Sequence, residues 1–149
     1  MKYHKDLIVG FIGAGSTVSA EIVTQVSVFL GFAKYSTYTL SSLLISGNRP
    51  SLILGLFVCP IVSSFIVTVL FHVFRKLGSK HLVLKCIEVS LLMWISLEFI
   101  FTIYFEGKLI PIRPMSAYYS NLIGAIIYGI TVGVLMDKFV FEEPVEYSA

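Results

Sequence analysis

Charge is what this sequence has least of: Asp, Glu, Lys and Arg make up 13% of it, against 56% hydrophobic residues. An ordinary soluble domain carries roughly 25% charged residues. The shortage excludes a water-soluble fold of the usual kind. Cysteine is nearly absent as well. Cys59 and Cys86 both fall inside apolar stretches, so neither a disulfide framework nor a zinc site of ordinary spacing is indicated. A net charge of +2, with basic residues at segment ends instead of along one stripe, argues against nucleic acid. Also missing are HExxH, a Gly-rich phosphate loop, a GxSxG elbow and paired histidines. The expectation is no enzyme, no catalytic residues, no metal and no cofactor.

What is present is apolar sequence in long runs. Four stretches, residues 7–32, 52–74, 82–105 and 117–136, are nearly free of charge. Each has the roughly 20 residues needed to cross about 30 Å of hydrocarbon as a helix. Barrel strands would be about 10 residues long with alternating polarity, and no alternation occurs. The predicted fold is all-α, an integral membrane bundle of four transmembrane helices, with residues 1–149 forming one domain. Lys2 and Lys5 ahead of an apolar run, with Val18-Ser19-Ala20 behind it, also resemble a cleavable signal. The run continues to Phe32, which favours a retained helix.

Seven basic residues (Lys2, Lys5, Arg75, Lys76, Lys80, Lys85, Lys138) fall on one side of a four-span arrangement and four (Lys34, Arg49, Lys108, Arg113) on the other. By the positive-inside rule both termini are cytoplasmic, and the expected location is a cell membrane, the bacterial cytoplasmic membrane in particular. The short link at residues 75–81 is expected to make the second and third spans antiparallel neighbours. In the first outer loop, residues 38–45 are semi-apolar, which predicts a short interfacial helix. Pro111 and Pro114 stiffen the second outer loop. Arg49-Pro50 and Arg113-Pro114, each ahead of a span, hint at an internal repeat or simply at Pro opening a helix. Pro60 inside the second span predicts a kink.

Glu21, Glu88 and Glu98 lie within spans, where a carboxylate costs roughly 2.5 kcal/mol or more at the bilayer centre. Glu21 is the deepest. It shares a face with Gly10, Ala14, Thr17 and Gln25 through three- and four-residue steps, so the stripe is expected to face protein. A proton, cation or ligand site of Glu21, Gln25, Glu98 and Trp94 is one reading. Glutamic acid hydrogen-bonded to Gln25 or Thr17, and Glu98 paired with Arg113 or Arg49, is the other. Glu88 follows Lys85 by three residues, which predicts an ion pair; His72 needs no special role. In the last span Asn121, Ala125, Gly129 and Gly133 form a small-residue ridge. Gly10, Ala14 and Thr17 are expected to pack against Ala125, Gly129 and Gly133, closing the bundle; a homodimer is the alternative use of the ridge.

Gly10-Phe11-Ile12-Gly13, Gly47-Asn48, Trp94, and Tyr128-Gly129 with Gly133 give the chain a pattern that resembles the YqhR-type family of bacterial four-span proteins. That likeness implies a membrane location and no chemistry. Locally, Ala20-Glu21-Ile22-Val23 resembles the first helix of the small multidrug resistance exporters, whose membrane glutamate binds protons and cationic drugs in turn. That likeness maps only onto Glu21, and the long outer loops depart from that family's plan. Two functions follow as expectations: an accessory, assembly or regulatory membrane subunit acting through helix packing on partner proteins, or a proton-coupled transporter or channel using Glu21.

Overall fold

Two of the helices begin at serines whose side chains satisfy an early amide and end at glycines, while the two that follow begin at His81 and Pro114 without a side-chain cap. In the computed structural model, which describes residues 2–78 and 80–141, α1 is Lys2–Phe29, α2 Thr37–Ser46, α3 Leu52–Leu77, α4 Leu82–Tyr104 and α5 Met115–Met136. A π-helical turn, Asp137–Phe141, continues α5. Ser36 and Ser51 cap α2 and α3, their side chains accepting the amides of Thr39 and Leu54. Gly47, at φ 71°, ends α2 with its amide on the Leu43 carbonyl, a conformation glycine adopts without a Cβ penalty. Among the described residues there is no strand, only an isolated bridge between Glu106 and Ile110.

Four helices are long and apolar enough to cross a membrane: His4–Phe29, Leu52–Leu77, Leu82–Tyr104 and Met115–Phe141. At 23 to 27 residues they measure about 34 to 40 Å, and the fold is the expected all-helical bundle. α3 runs on through Pro60 as one helix.

The helix order across the bundle is α3, α1, α5, α4: α1 packs on both α3 and α5, and α5 packs on α4. Glycine decides each close approach. A Cβ on Gly13 would lie 2.8 Å from the Ser63 carbonyl oxygen, and one on Gly10 2.9 Å from Ser64 Oγ, both on α3. On α5, a Cβ on Gly129 would lie 2.7 Å from the Ile87 Cα and one on Gly133 2.6 Å from the Val83 Cα, both on α4. The first and last spans are therefore neighbours, as expected, but not through the expected surfaces. Gly10 is spent on α3, and Gly129 and Gly133 on α4. Ala125 offers its carbonyl to Ser90 Oγ of α4 at 2.6 Å, and Thr17 bonds the Tyr38 hydroxyl of α2 at 3.0 Å. Ala14 is half-buried and gives its carbonyl to Thr17. α1 and α5 meet instead at Gly124, over Ala20 and Thr24, and through a Thr131–Ser19 hydrogen bond. The ridges face outward from the central pair, where small residues let the flanking helices approach the backbone, the main attraction available in lipid.

Gly129→Leu is accordingly expected to destabilise the fold by about 1–3 kcal/mol through overpacking against backbone. Gly15→Ala, with nothing within 4 Å of the added Cβ, is the control and is expected to be neutral or slightly stabilising. Denaturant unfolding in mixed micelles reads both.

The second correction concerns α3 and α4. Near their short link they share a core in which Val67, Phe71 and Phe74 of α3 meet Leu82 and Cys86 of α4, with Val9 and Ile12 of α1 and Val132 and Met136 of α5. Over their whole length the two helices make almost no direct backbone contact, and α1 and α5 lie between them. A short link constrains only the ends it joins. The third concerns the predicted interfacial helix: it is present as α2, but Tyr38, Leu40, Ser42 and Leu43 are buried and it packs on α3. Gly55 of α3 lies so close that a Cβ there would overlap the Tyr38 carbonyl.

Candidate functional site

The polar groups of the bundle collect in the half away from the α3–α4 link, in two separate networks. The first joins α1 to α2. Glu21, buried at 8% exposure, accepts the Tyr38 amide on one carboxylate oxygen at 2.8 Å and the Gln25 side-chain amide on the other at 2.7 Å. Thr24 Oγ1, one turn on, accepts the Thr37 amide at 3.0 Å. Thr37 and Tyr38 are the first two residues of α2, whose amides have no partner within the helix. A carboxylate there also faces the positive end of the helix dipole. Glu21 is thus a cap supplied by one helix to another.

The second network sits where α4 and α5 meet the loop between them. Arg113, its side chain 2% exposed, donates from Nη2 to Glu98 at 2.6 Å and from Nε to Glu106 at 2.5 Å. Asn121 donates to the other oxygen of Glu98 at 2.8 Å, and the Tyr118 hydroxyl to the other oxygen of Glu106 at 2.6 Å. The guanidinium also lies over the rings of Tyr118 and Phe101, 4.8 and 5.6 Å from their centroids. Burial alone would raise the pKa of Glu106. The hydrogen bonds from Tyr118 and Arg113, with the guanidinium charge, outweigh it and hold that carboxyl below the usual glutamate range.

Between α3 and α4 lies a cleft of about 220 Å3. Val58, Val62 and Ile66 of α3 form one wall, and Met93, Trp94, Leu97 and Phe101 of α4 the other. Ala20 of α1 and Gly124 and Ala125 of α5 form the back; Leu40 and Leu44 of α2 form the roof. The lining is almost wholly apolar. Its polar members are mostly engaged inside the protein. Thr17 bonds Tyr38, Thr37 bonds Thr24, and Ser41 donates to the Thr37 carbonyl. Ser63 bonds Tyr128, Ser90 donates to Ala125, and Glu98 and Asn121 bond one another. The indole N–H of Trp94 differs: it is buried and has no hydrogen-bond partner among the described residues.

Of the four residues proposed for one site, Glu98 and Trp94 line the cleft, while Glu21 and Gln25 do not. The two deep carboxylates do not share a proton site, since each is held by its own donors. Glu98 does pair with Arg113. Arg49 is exposed, so the two Arg-Pro dipeptides serve different ends and lend the repeat no support. The Glu88–Lys85 pair does not form, because Lys85 Nζ caps the Gly78 carbonyl at 2.9 Å. His72 lies 3.7 Å from Asp6 at the surface. Sequence reasoning missed Glu106, Tyr118, Thr24 and the cleft itself. For Glu106 a signal existed: an acidic residue seven positions before Arg113, in a loop too short and proline-rich to leave both in water.

Among the described residues no group of three or more His, Cys, Asp or Glu side chains is placed to hold a metal ion. No family model matches the chain, and no curated protein or solved structure matches it.

Proposed function

We propose that this membrane protein is a binding protein that takes an apolar ligand laterally from the bilayer into the cleft between α3 and α4. The observation that carries the reading is a cavity of about 220 Å3 lined by α3 and α4, with Leu40 and Leu44 of α2 also in its lining, at a place where the two helices do not pack on each other. An engineered apolar cavity of about 150 Å3 already takes up benzene. The reading assigns the cleft no bond-making step. It accounts for the small-residue ridges as internal packing, so they no longer call for a partner subunit. It also treats Glu21 as the cap of α2, which removes the main support for a proton-coupled carrier. The excess of basic residues around the α3–α4 link and the amino terminus supports placing that face in the cytoplasm.

Protein extracted from native membranes is expected to retain hydrophobic small molecules, identified by mass spectrometry of the purified protein. Val62→Trp and Leu97→Trp, both at half-exposed positions on the two walls, are expected to lose most of that retention while folding normally. Equal retention by the wild type and both variants would refute the cleft as the site.

A further inference from the structure

Of the other helices, α4 packs substantially on α5 alone, which leaves its far side to the bilayer. That side is not wholly apolar. Lys85, Glu88, Leu92, Ile95, Phe99 and Thr102 follow alternating steps of three and four residues and so form one seam along the helix. Leu92, Ile95 and Phe99 are 58%, 55% and 66% exposed, and Glu88 is exposed among them. Glu88 follows Leu82, the first residue of α4, by six positions, about 9 Å along the axis. A helix of 23 residues exceeds about 30 Å of hydrocarbon by only a few ångströms, so this carboxylate lies below the headgroups. Among the described residues it makes no ion pair. An ionisable side chain at such depth is costly and ordinarily faces a partner.

We infer that this seam of α4 binds a second copy of the chain, with Glu88 of each copy paired to Lys85 of the other. Two copies inserted in the same orientation are related by a two-fold axis along the membrane normal, so α4 meets α4 in parallel. Alternating steps of three and four are the pattern of a left-handed helix pair. Lys85 and Glu88 stand about 60° apart around the helix, on opposite sides of the seam's centre line. The two-fold therefore sets the Lys85 side of one helix against the Glu88 side of the other, twice over. Their offset along the axis is about 4.5 Å, within the reach of a flexible four-carbon stem. Lys85 Nζ donates to the Gly78 carbonyl at 2.9 Å, and an ammonium has three donors, so two remain for the carboxylate.

Other neighbours fit this face less well. Lipid tails leave the carboxylate without a counter-charge, and an anionic headgroup is repelled by it. An unrelated helix must bring its own base to this depth, whereas the chain itself supplies both charges in the register that a two-fold requires. None of the six seam residues lines the cleft, so this inference and the cleft reading stand or fall separately.

Full-length protein labelled at the amino terminus with donor or acceptor fluorophores is reconstituted in liposomes, and energy transfer is followed as lipid dilutes the protein. Glu88→Lys and Lys85→Glu are each expected to weaken self-association about tenfold, from the loss of two charged pairs across the seam. A mixture of those two variants is expected to associate within about threefold of wild type, because each then meets the opposite charges, and so is the double variant Lys85→Glu with Glu88→Lys. Recovery in the mixture also shows that both single variants are folded. Leu92→Cys is expected to give a disulfide-linked dimer on oxidation, beyond any that wild type gives, whereas Phe65→Cys on α3, at a position 71% exposed, is not. A wild type that stays monomeric at every lipid ratio, association that neither charge variant weakens, or variants that fail to recover each other when mixed would each overturn the inference. Cross-linking of Leu92→Cys in native membranes to a different protein in place of a second copy would overturn it as well.

Discussion

Arg113→Ala is expected to destabilise the protein by about 3–5 kcal/mol, the cost of breaking a buried ion pair by removing one partner. The guanidinium joins Glu98 on α4 to Glu106 in the following loop, and its removal leaves two carboxylates with only Asn121 and Tyr118 as side-chain donors. Arg113→Lys is expected to recover only part of the loss, because an ammonium cannot reproduce the two-nitrogen fork. The triple change Arg113→Met, Glu98→Gln and Glu106→Gln removes all three charges together and is expected to cost less than Arg113→Ala alone. That ordering separates uncompensated charge from lost packing. Unfolding in mixed micelles, compared across the set, gives the answer. Arg113→Ala within about 1 kcal/mol of wild type would mean the network is too hydrated to matter.

The same network gives a pH dependence of definite sign. Glu106 titrates below its ordinary range in the folded protein, so the unfolded chain binds its proton first as pH falls. Its contribution to stability is complete above the unfolded glutamate value, about 4.3, and is lost as pH drops through the depressed folded value. Wild type is therefore expected to lose stability between about pH 5 and the folded value. Glu106→Gln should start less stable and show a shallower acid slope. Parallel acid slopes for the two proteins would place the titration elsewhere.

The spans were legible because length and apolarity are local properties, and the boundaries of 82–105 and 117–136 differ from those of α4 and α5 by one or two residues. Which surfaces would meet was less legible. A ridge such as Gly129 and Gly133 announces close approach without naming the partner, and two helices were available to α5. The short link between α3 and α4 implied adjacency, which Phe74 and Leu82 satisfy at one end, but nothing in the link brings the two helices together along their length. Glu98 with Arg113 was readable as a charge-pairing alternative. Glu106 was not weighed, because a carboxylate in a loop is normally solvated. Trp94 was singled out as one turn from Glu98, and both do line the cleft.

Glu21→Ala is expected to cost about 3 kcal/mol and to release the first turn of α2. The carboxylate accepts two donors, the Tyr38 amide and the Gln25 side chain, and each buried donor left without a partner costs about 1–3 kcal/mol. Tyr38 has no other route to satisfaction: it is the second residue of α2, and its amide lies beyond the reach of any carbonyl in its own helix. Glu21→Gln distinguishes a cap from a proton carrier. A glutamine oxygen still accepts the Tyr38 amide, and Gln25 can turn its side-chain amide over so that its oxygen accepts from the new nitrogen, so Glu21→Gln is expected to keep most of the stability and the protection of Tyr38, whereas a proton carrier would lose its function. Amide hydrogen exchange locates the effect. In Glu21→Ala the amides of Thr37 and Tyr38 are expected to lose protection while those of α4 and α5 keep theirs, because α2 contacts α1 and α3. Because Leu40 and Leu44 roof the cleft, ligand retention should fall with α2 protection in the same variants. Uniform loss of protection across all helices would show that Glu21 holds the whole bundle and not the roof. Unchanged protection at Tyr38 in Glu21→Ala would remove the cap from the account.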